Sequence, residues 1–548
     1  MNDDIPAKPW PMARVVTASS AGTAFEWYDF FIFGSLTPII AKTFLAGLDP
    51  TSALIAALAL FAVGFAFRPL GAIIFGAMGD RVGRKATFLA TVSLMGGATF
   101  AIGLLPTYAQ AGIVAPILLV FLRICQGTAL GGEYGGAAIY VAEHAANGKR
   151  GAATGWIQSS ASFGLLAALL VIVATRTVLG EEAFAAWGWR IPFLASILLL
   201  AISVWMRVKL AESPAFAKLR DDGELSKTPL REAFARRDSL KQVLIAFFAI
   251  MCAQGAVWYF TFFYMQVFLE KSLGLPAATK DLLLIAMTLV SAPLYVLFGA
   301  LSDRVGRKPV MLGGMLLALA LYFPGSHLIA ASVNPALVEA QRVSPVVVVT
   351  DPASCAVQFD PTGTRRFESA CDIAKSLLVA RGISYREAVS PDGSTAIRLG
   401  NANLTVAGGE ALDDAGLKAL KTATGDRLKQ QLAAAGYPAS ADPGAVDYPT
   451  LLGVLFLFVV AATALYGPQA AALVEMFPTR IRYTAMSLPY HIGTGWVGGF
   501  LPVTSFAIVA ITGDIYAGLW YAVGFTALSA VVTILFLKET RGKPLEDC

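Results

Sequence analysis

The sequence predicts an all-α membrane protein: twelve transmembrane helices in two six-helix halves, with a small α/β extracytoplasmic insert. Three observations predict it. Of 548 residues, 56% are apolar and 14% charged, and the mean hydropathy is +0.64, whereas a soluble domain carries about 25% charge. Twelve stretches approach the roughly 20 apolar residues needed to cross about 30 Å of hydrocarbon. A ten-residue motif occurs twice, once in each half of the chain. This composition argues against a soluble enzyme, a disordered chain and a nucleic-acid binder. Five cysteines exclude a disulfide-dense scaffold, and three histidines leave little for a His-rich metal site.

The elements follow in order. Residues 1–14 are a polar tail with no cleavable signal pattern. The N-terminal half, 15–209, holds predicted spans 16–41, 53–78, 87–106, 112–142, 153–175 and 190–208. A linker, 210–240, separates the halves. Residues 241–332 hold spans 242–268, 281–301 and 310–332. Residues 449–537 hold spans 450–474, 484–511 and 516–537, and 538–548 is a second tail. Lys and Arg cluster in the links after even-numbered spans, as in Arg81, Arg84, Lys85 and Arg304, Arg307, Lys308, and in both tails. The link Pro106 to Ala111 has no charge. The positive-inside bias therefore puts both tails and the even links in the cytoplasm of a multi-pass inner-membrane protein.

One odd link is long. Residues 333–448 carry 11 Lys or Arg and 13 Asp or Glu, a soluble character. Val346–Val349, Ile383–Ala388 and Ala396–Leu399 read as strands, Ala370–Ala380 and Ala411–Ala435 as helices. A small α/β domain and a partly ordered loop both fit that pattern. Cys355 and Cys371 fall in this outside segment, where either a disulfide or two buried thiols is expected. Cys125 and Cys252 lie in spans and read as packing residues.

Gly76-Ala-Met-Gly-Asp80-Arg81-Val-Gly-Arg84-Lys85 returns as Gly299-Ala-Leu-Ser-Asp303-Arg304-Val-Gly-Arg307-Lys308, 223 residues on. Glu143 with Arg150 returns as Glu475 with Arg482, 332 on. The two offsets differ by nearly the length of the insert. Repeated halves are a mark of secondary transporters, with the site between them at mid-membrane.

The doubled G-x-x-x-D-R-x-G-R-K loop resembles the signature of the major facilitator superfamily. Further motifs are similar to its metabolite:proton symporter branch. They are Glu26-Trp-Tyr-Asp29-Phe, Arg68-Pro-Leu-Gly71, Arg123-Ile-Cys-Gln-Gly127, Gly131-Gly-Glu-Tyr-Gly-Gly136, Trp187-Gly-Trp-Arg-Ile-Pro192 and Glu212-Ser-Pro214. The resemblance covers nearly everything outside 333–448. It implies proton-driven import of a small organic acid, such as a di- or tricarboxylate, or of a zwitterionic osmolyte such as proline or betaine. It also implies that the loop cluster latches the halves together on the cytoplasmic side. Gating is accordingly expected of Asp80, Arg81, Arg84, Lys85, Asp303, Arg304, Arg307 and Lys308, with Glu143, Arg150, Glu475 and Arg482 as partners. The alternative is that these cations only enforce topology.

Ionisable groups inside a membrane cost about 2.5–3.5 kcal/mol each on insertion scales, so they tend to be functional. Here they are Glu26, Asp29, Arg68, Arg123 and Glu133. Proton coupling is expected of Asp29, Glu133 and Glu26, with Arg123 facing Asp29; the alternative is a permanent ion pair locking spans 1 and 4. For Arg68, function and snorkelling to the interface stand level. Substrate contacts are expected from Tyr28, Arg123, Gln254, Trp258, Tyr259, Tyr466, Gln469 and His491, each of which also fits a packing role. No nucleotide loop occurs, so ATP is not expected. The organic-acid importer is the first expectation, working as a monomer with substrate, protons and lipid as partners and with no cofactor, metal or nucleic acid. Osmolyte uptake is the second, and a transporter-like sensor using the insert is a third, from another class.

Overall fold

A computed structural model describes residues 12–45, 60, 63–208, 212–356, 366–400, 402–543 and 545. The first part of predicted span 53–78, most of the N-terminal tail, residues 209–211, part of the insert and the end of the C-terminal tail lie outside the described residues. The chain starts with α1 (Met12–Ser35), α2 (Arg68–Arg81), α3 (Arg84–Leu104), α4 (Val114–His144), α5 (Arg150–Leu179) and α6 (Arg190–Val208). It continues with α7 (Arg237–Ser272), α8 (Ala277–Val305) and α9 (Arg307–Val333). The insert holds α10 (Pro335–Val343), α11 (Ala370–Val379) and α12 (Asp414–Ala434). The last three are α13 (Tyr448–Met476), α14 (Arg482–Val509) and α15 (Leu519–Phe536).

Among the described residues, ten helices are long and apolar enough to cross a membrane: α3 to α9 and α13 to α15. Helix α1 has the length, but Arg14, Glu26 and Asp29 lower its apolarity. Helices begin where backbone N–H groups gain a partner and end at Gly83, Gly180 and Gly306, whose positive φ suits only glycine. Helix α7 is not a uniform α-helix. It contains π-helical turns at Ala246–Met251, Phe260–Tyr264 and Phe268–Ser272, and α14 contains one at Gly493–Gly498.

The two halves meet through α5 on α8 and α2 on α14. Gly151 of α5 and Gly299 of α8 pack backbone to backbone, so a Cβ on either would strike the other's carbonyl oxygen. Small residues at such a crossing let the helices come close enough for van der Waals packing, which substitutes for the hydrophobic drive that lipid removes.

In the insert, β1 (Val346–Thr350), β2 (Tyr385–Val389), β3 (Thr395–Leu399) and β4 (Ala402–Val406) form one sheet in the order β2-β1-β3-β4. Strand β1 is parallel to β2 and antiparallel to β3. Helix α11 makes the β1-to-β2 crossover that a parallel pair requires. Val346, Val348, Ile373, Leu378, Ile397 and Leu428 are buried between sheet and helices. Strand β4 and helix α10 were not anticipated from the sequence. Cys355 and Cys371 are joined by a disulfide, with Cα atoms 5.3 Å apart. The insert docks on the membrane helices through Tyr385 N–H to the Gly513 carbonyl (2.7 Å) and Ala441 N–H to the Gly274 carbonyl (3.0 Å). Asn334 Nδ2 adds a bond to the Leu273 carbonyl at 2.9 Å.

Candidate functional site

Three clusters of buried polar groups lie along the interior. The first is an acid–base trio. Arg207, in the last turn of α6, places Nη2 at 3.0 Å from Glu26 Oε1 on α1 and 2.9 Å from Glu133 Oε1 on α4. Thr91 of α3 donates to Glu133 Oε2 at 2.7 Å. The Arg207 guanidinium also lies over the Phe88 ring at 3.5 Å. Glu26 is 4%, Glu133 1% and Arg207 1% exposed, so the pairing is strongly desolvated. Two carboxylates share one guanidinium, which leaves one excess negative charge unless a proton is taken up.

Arg207 is not among the residues the sequence singles out: it falls at the end of predicted span 190–208, beside the cation-rich linker. Arg123, expected from the sequence to oppose Asp29, does not. Arg123 donates to Gln126 Oε1 at 2.8 Å and to the Leu60 carbonyl at 3.2 Å, and stacks on Phe33 at 4.1 Å. No ion pair joins it to Asp29 among the described residues. Gln126 donates on to Thr99 at 2.8 Å, and Thr99 adjoins Asp29, so the link is indirect. Arg123 also cannot meet Glu133, because ten residues along one helix is about 15 Å. Asp29 stays buried, with Oδ1 lacking a protein partner among the described residues.

The second cluster is a central cavity of about 10 Å³, lined by Thr23, Glu26, Trp27, Arg68, Leu130, Tyr134, Tyr490 and His491. That is room for about one water. Arg68 does not snorkel. It is 2% exposed, lies 4.2 Å over Phe65 and 5.1 Å over Phe30, and its Nε and Nη2 meet no partner among the described residues. Both ring nitrogens of His491 are likewise without one. Tyr134 stacks on Tyr490 across the halves at 3.7 Å. Tyr490 Oη is 3.1 Å from Tyr466 Oη, and Trp258 Nε1 donates to Tyr295 at 2.8 Å. Trp27 lies 6.4 Å from Trp258 and Phe65 lies 6.0 Å from Tyr259, so aromatic rings join the halves around the cavity. Gln254 and Gln469 are buried nearby on α7 and α13. Tyr28 is not part of this group. It points into the α1–α6 packing, donating to the Pro192 carbonyl at 2.9 Å, because the helix turns it about 100° from Trp27 and about 200° from Glu26.

The third cluster, at one end of the bundle, ties the halves together with near two-fold repetition. Asp80 accepts from the N–H groups of Tyr483 (3.2 Å) and Thr484 (2.8 Å), and Asp303 from those of Gly151 (2.9 Å) and Ala152 (2.8 Å). Each aspartate thus caps the N-terminus of a helix in the other half, where the helix dipole favours a negative charge. Neither aspartate caps the helix that follows it in sequence. That task falls to Glu212, which accepts from Arg84 N–H at 3.2 Å, and to Glu539, which accepts from Arg307 N–H at 2.8 Å. Burial works against the Glu539 carboxylate, but the N–H groups of Arg307, Arg541, Lys308 and Thr540 hold it below the usual carboxylate range. It therefore stays charged, and keeps capping, until pH falls below that range.

Arg84 pairs with Asp80 at 2.9 Å and Glu143 at 3.8 Å; Arg307 pairs with Asp303 at 2.7 Å and Glu475 at 3.1 Å. Across the halves, Arg482 meets Glu143 at 2.7 Å and Arg150 meets Glu475 at 3.5 Å. Ser213 donates to Glu143 and Thr540 to Glu475. Lys85 and Lys308 donate to the carbonyls of Val208 and Ile534, the last turns of α6 and α15. Arg81 donates to the Lys227 carbonyl, outside the cross-half contacts. Arg304 has no hydrogen bond or ion pair among the described residues. The pairs Glu212-Ser213 and Glu539-Thr540, 327 residues apart, carried a repeat signal that the sequence reading did not use.

A family model described as Major Facilitator Superfamily matches residues 20–340. The chain belongs to the major facilitator superfamily. A second model, described as Sugar (and other) transporter, matches residues 435–548. The chain is 36% identical over 331 residues to the "Proline/betaine transporter" of Salmonella typhimurium, covering 59% of this chain and 66% of that one, just under two thirds of its length. It is 36% identical to the "Inner membrane metabolite transport protein YhjE" of Escherichia coli, over 59% of this chain and 74% of that one. The solved structure of the proton:xylose symporter XylE aligns over 98% of both chains with a TM-score of 0.62 at 16% identity, a likeness of fold. Membership in a family of membrane transporters, with relatives that are transport proteins, sets the chain apart from enzymes.

Proposed function

We propose that this superfamily member imports a zwitterionic osmolyte of the proline or betaine class, together with protons, by alternating access. The observation that carries this reading is the pairing in one cavity of a single buried guanidinium, Arg68, with aromatic rings from both halves. A planar guanidinium suits a carboxylate. Aromatic faces suit an ammonium, above all a quaternary one that cannot donate hydrogen bonds. A relative named as a proline/betaine transporter supports the same class. The organic-acid reading, first from sequence, is less well supported. A di- or tricarboxylate calls for several facing cations, whereas the charged cavity residues are Arg68 and the opposing Glu26.

Proton coupling is assigned to the trio. Glu26 lines the cavity and also shares Arg207 with Glu133, so substrate and proton sites are adjoining. One proton brings the trio to neutrality, and a neutral trio is the form that crosses the closed state at least cost. Asp29, joined through Thr99 and Gln126 to Arg123, is a second buried acid on the same helix. With room for about one water, the cavity must open to admit substrate, and the latched state corresponds to a closed one. In the topology that goes with this, twelve spans cross the membrane, the latch end and both tails face the cytoplasm, and residues 333–448 lie outside.

Counterflow in proteoliposomes tests the substrate class. Vesicles loaded with unlabelled proline or glycine betaine should accumulate labelled glycine betaine, whereas citrate or 2-oxoglutarate loading should not drive it. Exchange with the carboxylates and none with the zwitterions would overturn the assignment.

A further inference from the structure

A second cavity is larger than the central one. A groove of about 780 Å³ lies between α1 and α5, on the face away from α4 and the cavity. That is within the roughly 300–1,000 Å³ of small-molecule sites. Its α1 side combines small residues, among them Ala13, Ala21 and Ala24, with Met12, Val16 and Phe25, and its other side has Trp156 and Phe163 of α5 and Lys149 just before that helix. Trp156 and Phe163, seven residues apart, share one face of α5, and Lys149 stands seven residues before Trp156, at the cap of the helix. From Lys149 to Phe163 the ladder runs about 21 Å, longer than one leaflet of a bilayer whose core is about 30 Å thick. Trp156 is 46% and Phe163 47% exposed. Lys149 is exposed at the latch end, and no hydrogen bond or ion pair engages its Nζ among the described residues.

The internal repeat supplies a control. The offset of 332 that relates Arg150 to Arg482 relates Lys149, Trp156 and Phe163 to Ile481, Leu488 and Gly495. The three corresponding positions of the second half thus carry neither the cation nor the aromatic side chains. Fold symmetry does not require this chemistry, so it is particular to one groove.

We infer that the α1–α5 groove is a binding site for one anionic phospholipid, its acyl chain along Trp156 and Phe163 and its phosphate on Lys149 Nζ. Charge complementarity selects the headgroup, since an anionic lipid gains more from an unpaired surface cation than a zwitterionic one does. Ala21 and Ala24 leave open a channel for an acyl chain that a larger side chain there would fill, and Val16 and Phe25 add apolar surface beside it. The same helix α1 turns Thr23, Glu26 and Trp27 toward the central cavity, so an occupied groove would pack directly behind the transport residues.

Native mass spectrometry of the full chain in non-ionic detergent tests this, with phosphatidylglycerol or phosphatidylcholine added. The wild type should retain one phosphatidylglycerol at concentrations where phosphatidylcholine is lost. Lys149→Gln should lower that occupancy about fivefold and bring the two lipids level. Ala21→Phe, which fills the channel, should remove the bound lipid of either kind. Equal retention of both lipids by the wild type, or unchanged retention in Lys149→Gln, would show annular binding only and overturn the site. If Ala21→Phe fails to fold, Lys149→Gln decides alone. The outcome does not depend on what the protein transports.

Discussion

Arg207→Gln should abolish gradient-driven uptake and destabilise the protein by about 3–5 kcal/mol, the usual cost of breaking a buried ion pair from one side. The guanidinium is within 3.0 Å of both Glu26 and Glu133, and all three groups are nearly inaccessible to water. Without it, two carboxylates face one another with no counter-charge. The chain then either loses stability or holds protons on both acids through the whole cycle. Arg207→Gln combined with Glu133→Gln removes the like-charge conflict and should recover much of the thermal stability without restoring accumulation. Arg207→Lys keeps the charge but not the fork, and should fall between. Thermal unfolding in detergent beside gradient-driven uptake in vesicles reads both effects. A variant Arg207→Gln that melts and accumulates like the wild type would remove the trio from the mechanism.

Arg482→Gln should open the latch far more than Arg150→Gln. Glu143 and Arg482 are fully buried and 2.7 Å apart, and Arg482 is the near cation for Glu143, since Arg84 stands at 3.8 Å. Glu475 is held at 3.1 Å by Arg307 of its own half and by Thr540, with Arg150 more distant at 3.5 Å. Losing Arg482 therefore leaves the buried Glu143 carboxylate, in the latched state alone, with Ser213 and the more distant Arg84 and no close cation, at a cost approaching the roughly 3–5 kcal/mol of a broken buried pair. That is roughly two orders of magnitude or more in the population of latched molecules. The rate of alkylation at Ala142→Cys, a buried position one residue from Glu143, should rise at least about tenfold in Arg482→Gln and little in Arg150→Gln. Equal rates in all three backgrounds would mean that the ion pairs are not what holds the end closed.

Much of the architecture was legible because its causes are local or repetitive. Apolar stretches mark spans through length alone, and the doubled Asp-Arg-x-Gly-Arg-Lys loop marks the two halves. The residues misread are those whose partners are remote in sequence. Arg207 sits at the last turn of α6, next to a linker rich in cations, and nothing nearby reveals that it turns back toward Glu26, 181 residues away. Asp80 is expected in the latch from its motif, but its partners, the N–H groups of Tyr483 and Thr484, lie 403 and 404 residues away and are invisible in the sequence. Arg123 and Asp29 were paired on charge alone, and helix spacing sent Arg123 to Gln126 instead. Tyr28 is expected among the binding residues, yet one step along a helix from the cavity-lining Trp27 turns a side chain by about 100°. Arg68 could be ranked only level with a surface role, because burial depends on how α2 meets α1 and α14. The aromatic wall of Tyr134 and Tyr490 belongs to both halves and exists only once they are packed.

The most direct measurement is the uptake of labelled glycine betaine by proteoliposomes, with and without a pH gradient, acidic outside. The proposed mechanism predicts accumulation above the external concentration only when the gradient is present, and only equilibration when Glu133→Gln replaces the wild type. Accumulation that ignores the gradient, or survives intact in Glu133→Gln, would contradict it.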